Sequence, residues 1–264
     1  MIHVVTIANQ HLYARQLDEM FRMRHEFYVR QRGWTNLTST DGRETDEFDN
    51  DHAVYLMNLD RYGSILATFR LNPTTTPYLL GDKLPEYLEG EAPRSEQIWD
   101  LTRWMVAPHA RRKANDQIAD AQKVLLCGVM EFAVSRGATA LTCLMDTVFV
   151  DRIAKVWPAT PLGPELDFED GKGRAIAVRL EAGPHVLVST RQKTGIYDSV
   201  LFEIGAEPAG SDAEGEKRRV AIKKESPMSQ AELDRVRAAA QHLVQELKNF
   251  RNSFSINYLI FMLF

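Results

Sequence analysis

Interleaved strand and helix patterns predict an α/β (α+β) chain built on one twisted, mixed central sheet flanked by helices. Three observations carry this. Short apolar runs of strand length recur from Ile2 to Ser189. Two stretches carry a clear helical period. The two kinds of pattern alternate along the chain instead of segregating. With 264 residues and 44% hydrophobic content, the chain can bury one sizeable core and still carry an appendage.

The elements follow in order. Ile2 to Ile7 alternates weakly and suits a first strand. From Leu12 to Arg32, Leu17, Met20, Phe21, Arg24, Phe27 and Tyr28 recur at three- and four-residue steps, and Gly33 breaks the pattern. Thr35 to Asp51 is polar and reads as a long loop, a kind that is usually functional or disordered. Ala53–Leu59 and Ser64–Leu71 are strands around a hairpin turn at Asp60–Gly63. Leu79 to Leu88 suits a short helix around Pro85, and Ile98 to Val106 a strand ended by Pro108. Gln117 to Arg136 is the best helix, stopped by Gly137. Ala140–Met145 reads as a buried strand and Val148–Val156 as helical. Gly173–Glu181 and His185–Ser189 read as two further strands. Past about Gly205 the texture changes: 206–229 reads as a flexible linker and 230–264 as a helical extension with an apolar end.

Several function classes drop out. A net charge of −4 argues against nucleic acid as the main partner. Cys127 and Cys143 have no metal-type or redox-type spacing and fit core thiols in a reducing cytosol. No secretory signal is read at Met1–Gln10, and the apolar C-terminus falls well short of the ~20 residues of a membrane-spanning helix. A cytoplasmic protein is expected. No phosphate loop, dinucleotide fingerprint, metalloprotease helix or nucleophile elbow is present, and the seven histidines offer no metal spacing.

Three features point to chemistry. First, Asp46 and Asp49 lie in an acidic run, while Arg24, Arg70 and Arg103 lie on ordered elements. Arginines on strands facing a core need carboxylate partners such as Asp46, Asp49 or Asp100. Such a cluster fits a substrate pocket or a structural ion-pair network equally well. Second, Arg111, Arg112 and Lys113 sit between a strand and a long helix, where anions are favoured. The segment lacks the glycines that would wrap a pyrophosphate, so it reads as a carrier-protein docking patch or a solvated basic loop. Third, Phe27, Tyr28, Trp34 and Trp104 lie near those charges. They fit a cation–π cradle for a sulfonium or simple core packing.

In combination, Arg24, Tyr28, Trp34, Asp46, Asp49, Arg70, Asp100 and Arg103 resemble the signature of the acyl-homoserine-lactone synthases, the autoinducer synthases of quorum sensing. The stretches that carry it include Arg22-Met23-Arg24-His25-Glu26-Phe27-Tyr28, Thr68-Phe69-Arg70-Leu71-Asn72-Pro73-Thr74 and Trp99-Asp100-Leu101-Thr102-Arg103-Trp104. The likeness spans about residues 1–205. The family usually has Phe at Tyr28 and Glu at Asp100, so the sequence resembles a divergent member.

The resemblance implies the acyl-CoA N-acyltransferase fold, splayed to admit pantetheine. It implies a transferase that moves an acyl group from acyl carrier protein or coenzyme A to the amine of S-adenosylmethionine. The product then closes to a lactone and releases methylthioadenosine. S-adenosylmethionine is a substrate, and neither a cofactor nor a metal is expected. Asp100 is the expected base, with Arg103 beside the reacting thioester. Arg24, Tyr28, Trp34, Asp46, Asp49, Arg70 and Trp104 are the expected substrate-binding residues. Leu126, Met130, Leu144 and Val148 are the expected acyl pocket; Leu144 offers no hydrogen bond, which leans toward an unsubstituted or aryl acyl group. Two other readings fit the same residues: an N-acyltransferase acting on another amine, such as an N-acyl amino acid synthase, and a non-catalytic carrier-protein-binding module.

Overall fold

The computed structural model describes residues 1–34, 37, 39–111, 120–168 and 173–204. The linker and helical extension expected at 206–264 lie outside the described residues, as do Arg112 and Lys113. Eleven strands are described: β1 Ile2–Val5, β2 Ser39–Thr40, β3 Arg43–Glu44, β4 Val54–Leu59, β5 Ile65–Pro73, β6 Ile98–Val106, β7 Ala140–Asp146, β8 Ala159–Pro161, β9 Leu166–Phe168, β10 Gly173–Glu181 and β11 Leu201–Phe202. The helices are α1 Ala14–Arg24, α2 Leu79–Lys83, α3 Asp120–Ser135, α4 Val150–Ala154 and α5 Pro184–Thr194. The large sheet runs β11-β1-β4-β5-β6-β7-β10-β8, with β9 also on β10. It is mixed: β6 and β7 are parallel, as are β1 and β11, and the other pairs are antiparallel.

Apolar surface covers both faces. On one, α3 buries Leu125, Leu126, Val129 and Met130 against Ile2, Leu56, Phe69 and Leu141. On the other, Tyr13 and Met20 meet Val5, Tyr55, Met57 and Met105. Farther along that second face, Tyr78, Leu80 and Tyr87 cover Ala175 and Ala177. Among the described residues no helix is long and apolar enough to cross a membrane.

Two irregularities position the site. The β6–β7 ladder is short: Ile98, Trp99 and Asp100 pair with Ala140, Leu141 and Thr142, and the strands then part. The sheet therefore splays just beyond Asp100, as the resemblance implied. A bulge also interrupts the β5–β6 register between Thr68 and Arg70, and Arg103 opposite it has φ +54°. For a non-glycine residue that conformation is strained, typically by about 1–3 kcal/mol, and such strain gathers at functional sites.

One expected strand is a helix. His185–Ser189 lies inside α5, which has Pro184 in its first turn and Gly195 in the left-handed conformation at its end. These are the ordinary start and stop residues of a helix. They outweigh the β-branched run that suggested a strand. The expected Leu12–Arg32 helix is also subdivided. It is a 3-10 turn, then α1, then a π-helix over His25–Gln31.

Gly128 lets α3 sit close on the sheet. A Cβ there would meet Ile2 Cγ1 at 2.6 Å. Gly128→Val is expected to destabilise by about 1–3 kcal/mol through overpacking. Urea unfolding checks this, and an unchanged midpoint would contradict the close-packing account.

Candidate active site

The acidic segment is drawn onto the sheet by three arginines from three elements. Arg24 ends α1, Arg70 lies within β5 and Arg103 sits on the bulge of β6. Apolar neighbours surround each, so each guanidinium needs a carboxylate to be buried at all. Arg24 grips Asp49 bidentately, at 2.7 and 2.8 Å, and also donates to Glu44. Arg70 grips Asp46 bidentately and reaches Asp49 at 2.9 Å. Arg103 donates to Glu44 at 2.8 Å and to Asp46 at 2.7 Å. The three guanidiniums thus meet three carboxylates from one short stretch of chain.

The bulge makes this geometry possible. It lets the consecutive residues Thr102 and Arg103 serve one face, where Thr102 Oγ1 accepts from Arg70 Nε at 3.0 Å. Trp104 turns to the other face and packs on Phe69, 4.7 Å between ring centroids. The loop is further fixed from within. Asp46 accepts from the Phe48 amide and Asp49 from the Asp46 amide. Tyr55 donates its hydroxyl to Asp49 at 3.0 Å.

Burial alone would push Glu44 and Asp49 up. The arginine charges and hydrogen bonds outweigh it, and both carboxyls lie below their usual range. Exposure grades across the network. The Arg24 and Glu44 side chains are sealed, whereas 9% of Arg103 and 17% of Asp46 face solvent. Those two are the members within reach of a ligand.

The aromatic residues expected nearby fall around Arg103. The π-helix carries Tyr28 inward, and Gly33, with φ +69°, folds the chain back. Trp34 then stacks on Tyr28 with ring centroids 5.0 Å apart. Arg103 lies over the Tyr28 ring at 5.3 Å, and the Tyr28 hydroxyl donates to the Trp104 carbonyl at 3.5 Å. A π-helical turn beside a strained strand residue is a common mark of a functional site.

Asp100 stands apart from the arginine network and does not form the ion pair its spacing suggested. It is completely buried, and its Oδ1 accepts from Thr142 Oγ1 at 2.9 Å. Burial pushes its carboxyl up to about 7, against the smaller downward pull of the Thr142 hydrogen bond, the Arg70 charge and the Leu80 amide. It sits where β6 and β7 separate, a position suited to a base that works near neutral pH.

The expected acyl-pocket residues do not share one lining. Leu126 and Met130 are buried on the α3 face. Leu144 packs on the opposite face with Ala175 and Ala177, because β7 alternates its side chains. Val148 is 57% exposed in a 3-10 turn, so it lines no buried tunnel here. Arg111 donates to the Val106 carbonyl at the mouth of a groove with Met23, Phe27, Met105 and Pro108.

Sequence reasoning missed Glu44, the carboxylate that joins Arg24 to Arg103. Asp100 stands in as the third carboxylate in the sequence reading, and it is Glu44 that takes that place in the network. Among the described residues no group of three His, Cys, Asp or Glu side chains is placed to hold a metal ion.

Removing Glu44 would leave two buried guanidiniums short of a partner. Glu44→Ala is expected to destabilise by about 3–5 kcal/mol. Because Glu44 and Asp49 titrate below their unfolded values, their contribution is present above the unfolded carboxylate pKa. It is lost as pH falls through the lowered folded values. Wild-type stability should therefore decline below about pH 4, and less steeply in Glu44→Gln. Chemical denaturation across pH checks both; equal acid slopes would count against the network.

The autoinducer synthase family model matches residues 8–184. The chain is similar to the isovaleryl-homoserine lactone synthase of Bradyrhizobium diazoefficiens, at 32% identity over 62% of this chain and 72% of that protein. It is also similar to an acyl-homoserine-lactone synthase of Pseudomonas fluorescens, at 38% identity over 69% of this chain and 88% of the relative. Among solved structures it resembles MesI, a CoA-dependent acyl-homoserine lactone synthase. There the identity is 33% and the TM-score 0.67, covering 76% of this chain and 98% of MesI. The match of the family model over most of the chain, together with the arginine–carboxylate site, shows that the chain belongs to the autoinducer synthase family, the acyl-homoserine-lactone synthases.

Proposed function

We propose that this synthase transfers an acyl group from coenzyme A to the amine of S-adenosylmethionine, with Asp100 as the base. The observation that carries this reading is the place of Asp100: a buried carboxyl at the end of the β6–β7 pairing, where the sheet opens. A preference for coenzyme A over carrier protein is supported by the likeness to MesI and to BjaI, each named a CoA-dependent synthase. BjaI has been solved with S-adenosylmethionine and isopentyl-CoA, and matches at 26% identity and TM-score 0.71 over 84% of this chain and 99% of BjaI.

The substrate amine arrives as an ammonium and must lose a proton before it can attack. Asp100 takes that proton, directly or through a water. The nitrogen then bonds to the thioester carbon, the C–S bond breaks and the thiol departs. The oxyanion takes its donors from backbone amides at the bulge around Arg103 and Trp104. The product carboxylate next displaces the sulfonium from its own γ-carbon. That step needs mainly a folded, held substrate.

Tyr28, Trp34, Asp46 and Arg103 form the substrate-facing wall. Arg24, Arg70 and Asp49 act behind it by holding Asp46 in place. The acyl chain enters the wedge between β6 and β7, where Trp104 and Met145 are partly buried over the core that includes Leu126 and Met130. Pantetheine leaves along the groove that ends at Arg111. No cofactor takes part, and two buried free thiols suit a reducing cytoplasm.

The test is purified protein with S-adenosylmethionine and one acyl group, offered on coenzyme A and on acyl carrier protein. Lactone and methylthioadenosine should form, with higher kcat/KM from the coenzyme A thioester. Acylation without methylthioadenosine would point to another amine as the true acceptor, and turnover from the carrier thioester alone would overturn the donor assignment.

Asp100 makes a second, two-sided prediction. Only its ionised form accepts a proton, so kcat/KM should rise through a limb near pH 7. Asp100→Asn should lower kcat at least ~100-fold. Yet its raised folded pKa means the native state binds more protons than the unfolded state from about pH 4 to about 7. Wild-type stability therefore falls with rising pH across that window. The neutral variant should be more stable than wild type at pH 8, as read by urea unfolding.

A further inference from the structure

Two buried oxygens make no hydrogen bond where the chemistry is placed, Asp100 Oδ2 and Asn72 Oδ1, although the Leu80 amide also bears on the Asp100 carboxyl. They belong to directly paired residues on neighbouring strands, and Asp100 is paired in turn with Thr142. Cross-strand partners share a face of the sheet, with Cβ atoms about 4.5–5.5 Å apart. Each side chain is anchored at its other polar atom. Asp100 Oδ1 is held toward β7 by Thr142, which leaves Oδ2 toward β5. Asn72 Nδ2 donates to the Phe48 carbonyl at 3.0 Å. That acceptor fixes the amide orientation and leaves Oδ1 free. Both residues are essentially sealed from solvent. An unsatisfied buried acceptor is costly, and a single hydrogen between these two would satisfy both.

We propose that Asn72 is a positioning residue for the acyl transfer, accepting through Oδ1 the hydrogen that Asp100 Oδ2 acquires when it deprotonates the substrate amine. This rests on the reading of Asp100 as the base. In the step, one N–H bond of the ammonium breaks and one O–H bond forms on Asp100. The nitrogen lone pair is released to the thioester carbon, and the new hydroxyl donates to Asn72. The neutral acid is thereby held in one rotamer, and its proton affinity suits a base acting at neutral pH. The charged or titratable groups that bear on Asp100 are Arg70 on β5, Tyr78 ahead of α2 and Cys143 on β7. Burial, with the nearby Asp100 charge adding to it, pushes Tyr78 up to about 12 and Cys143 upward as well. Both stay neutral while Asp100 titrates.

Asn72 also holds the Phe48 carbonyl, so a purely structural role is the competing account, and kinetics separates the two. Asn72→Leu should lower kcat at least tenfold while the KM for S-adenosylmethionine changes less than threefold. A structural role would instead raise KM by loosening the Asp46–Asp49 segment and leave kcat intact. Asn72→Asp keeps the shape and places a second carboxyl beside Asp100. Two adjacent carboxyls share one proton, so the acidic limb of kcat/KM should move up by at least one pH unit. If Asn72→Leu does not fold, the limb of Asn72→Asp decides alone. Wild-type kcat in the first variant, or an unmoved limb in the second, overturns the assignment. Wild-type protein that releases no methylthioadenosine sinks the lactone-synthase reading and this assignment together, whereas an active wild type with indifferent Asn72 variants sinks only this one.

Discussion

Three guanidiniums are buried on one face of a sheet, and a single segment between Glu44 and Asp49 neutralises all of them. That constraint organises the rest of the molecule. Arg24, Arg70 and Arg103 come from a helix and two strands, and the carboxylates reach all three at once. A long polar segment with little regular structure would otherwise be mobile. Here bidentate pairs pin it and give it a defined inner wall. Removing charge from either side leaves an uncompensated ion in an apolar setting, so the cluster stands or falls as a unit. Its graded exposure divides the labour. The sealed members hold position, and Asp46 and Arg103 are the more exposed ends of the network.

Behind this wall the sheet is deliberately imperfect. A continuous β6–β7 ladder would close the cleft, and a regular β5–β6 ladder would send Thr102 and Arg103 to opposite faces. Instead the first ladder stops at Asp100 and the second carries a bulge at Arg103. The strain of a left-handed arginine is offset by its three hydrogen bonds to Glu44 and Asp46. The two distortions together place the buried Asp100 carboxyl and Arg103 where the sheet opens.

Much of this was legible in the sequence, for reasons that also mark where legibility ends. Arg70 and Arg103 stand out because charges inside apolar strands demand partners, and Asp46 and Asp49 were the evident supply. Glu44 lies as far from its partners as Asp46 and Asp49 do from theirs, but Asp100 already reads as the further carboxylate the arginines need. The strand expected at His185–Ser189 shows β-branched content outvoting the stronger punctuation of Pro184 and Gly195. The residues expected to line the acyl pocket divide between two faces. Leu126, Met130 and Leu144 are all apolar and near the right place, but strand alternation puts Leu144 on the far side of the sheet. Which face a β7 residue serves is set by pairing with β10 and β6, information that no single stretch contains.

The shorter acid at position 100 belongs to the same logic. Where the family usually carries Glu, an added methylene would lift the carboxylate above the sheet toward the substrate. Asp keeps the carboxyl in the layer of its cross-strand neighbours, level with Thr142 on one side and Asn72 on the other. Thr142 supplies a hydrogen to one oxygen, while the other oxygen and the Asn72 amide oxygen on the paired strand are both left without a hydrogen bond. Arg70, committed to Asp46, Asp49 and Thr102, acts on Asp100 only through its field, and it does not lock the acid into the ionised state. A base that formed an ion pair with Arg70 would be held too low to take a proton at neutral pH. Keeping Arg70 occupied by Asp46 and Asp49 thus leaves burial to dominate at Asp100, and it ties the proposed base to the acidic segment.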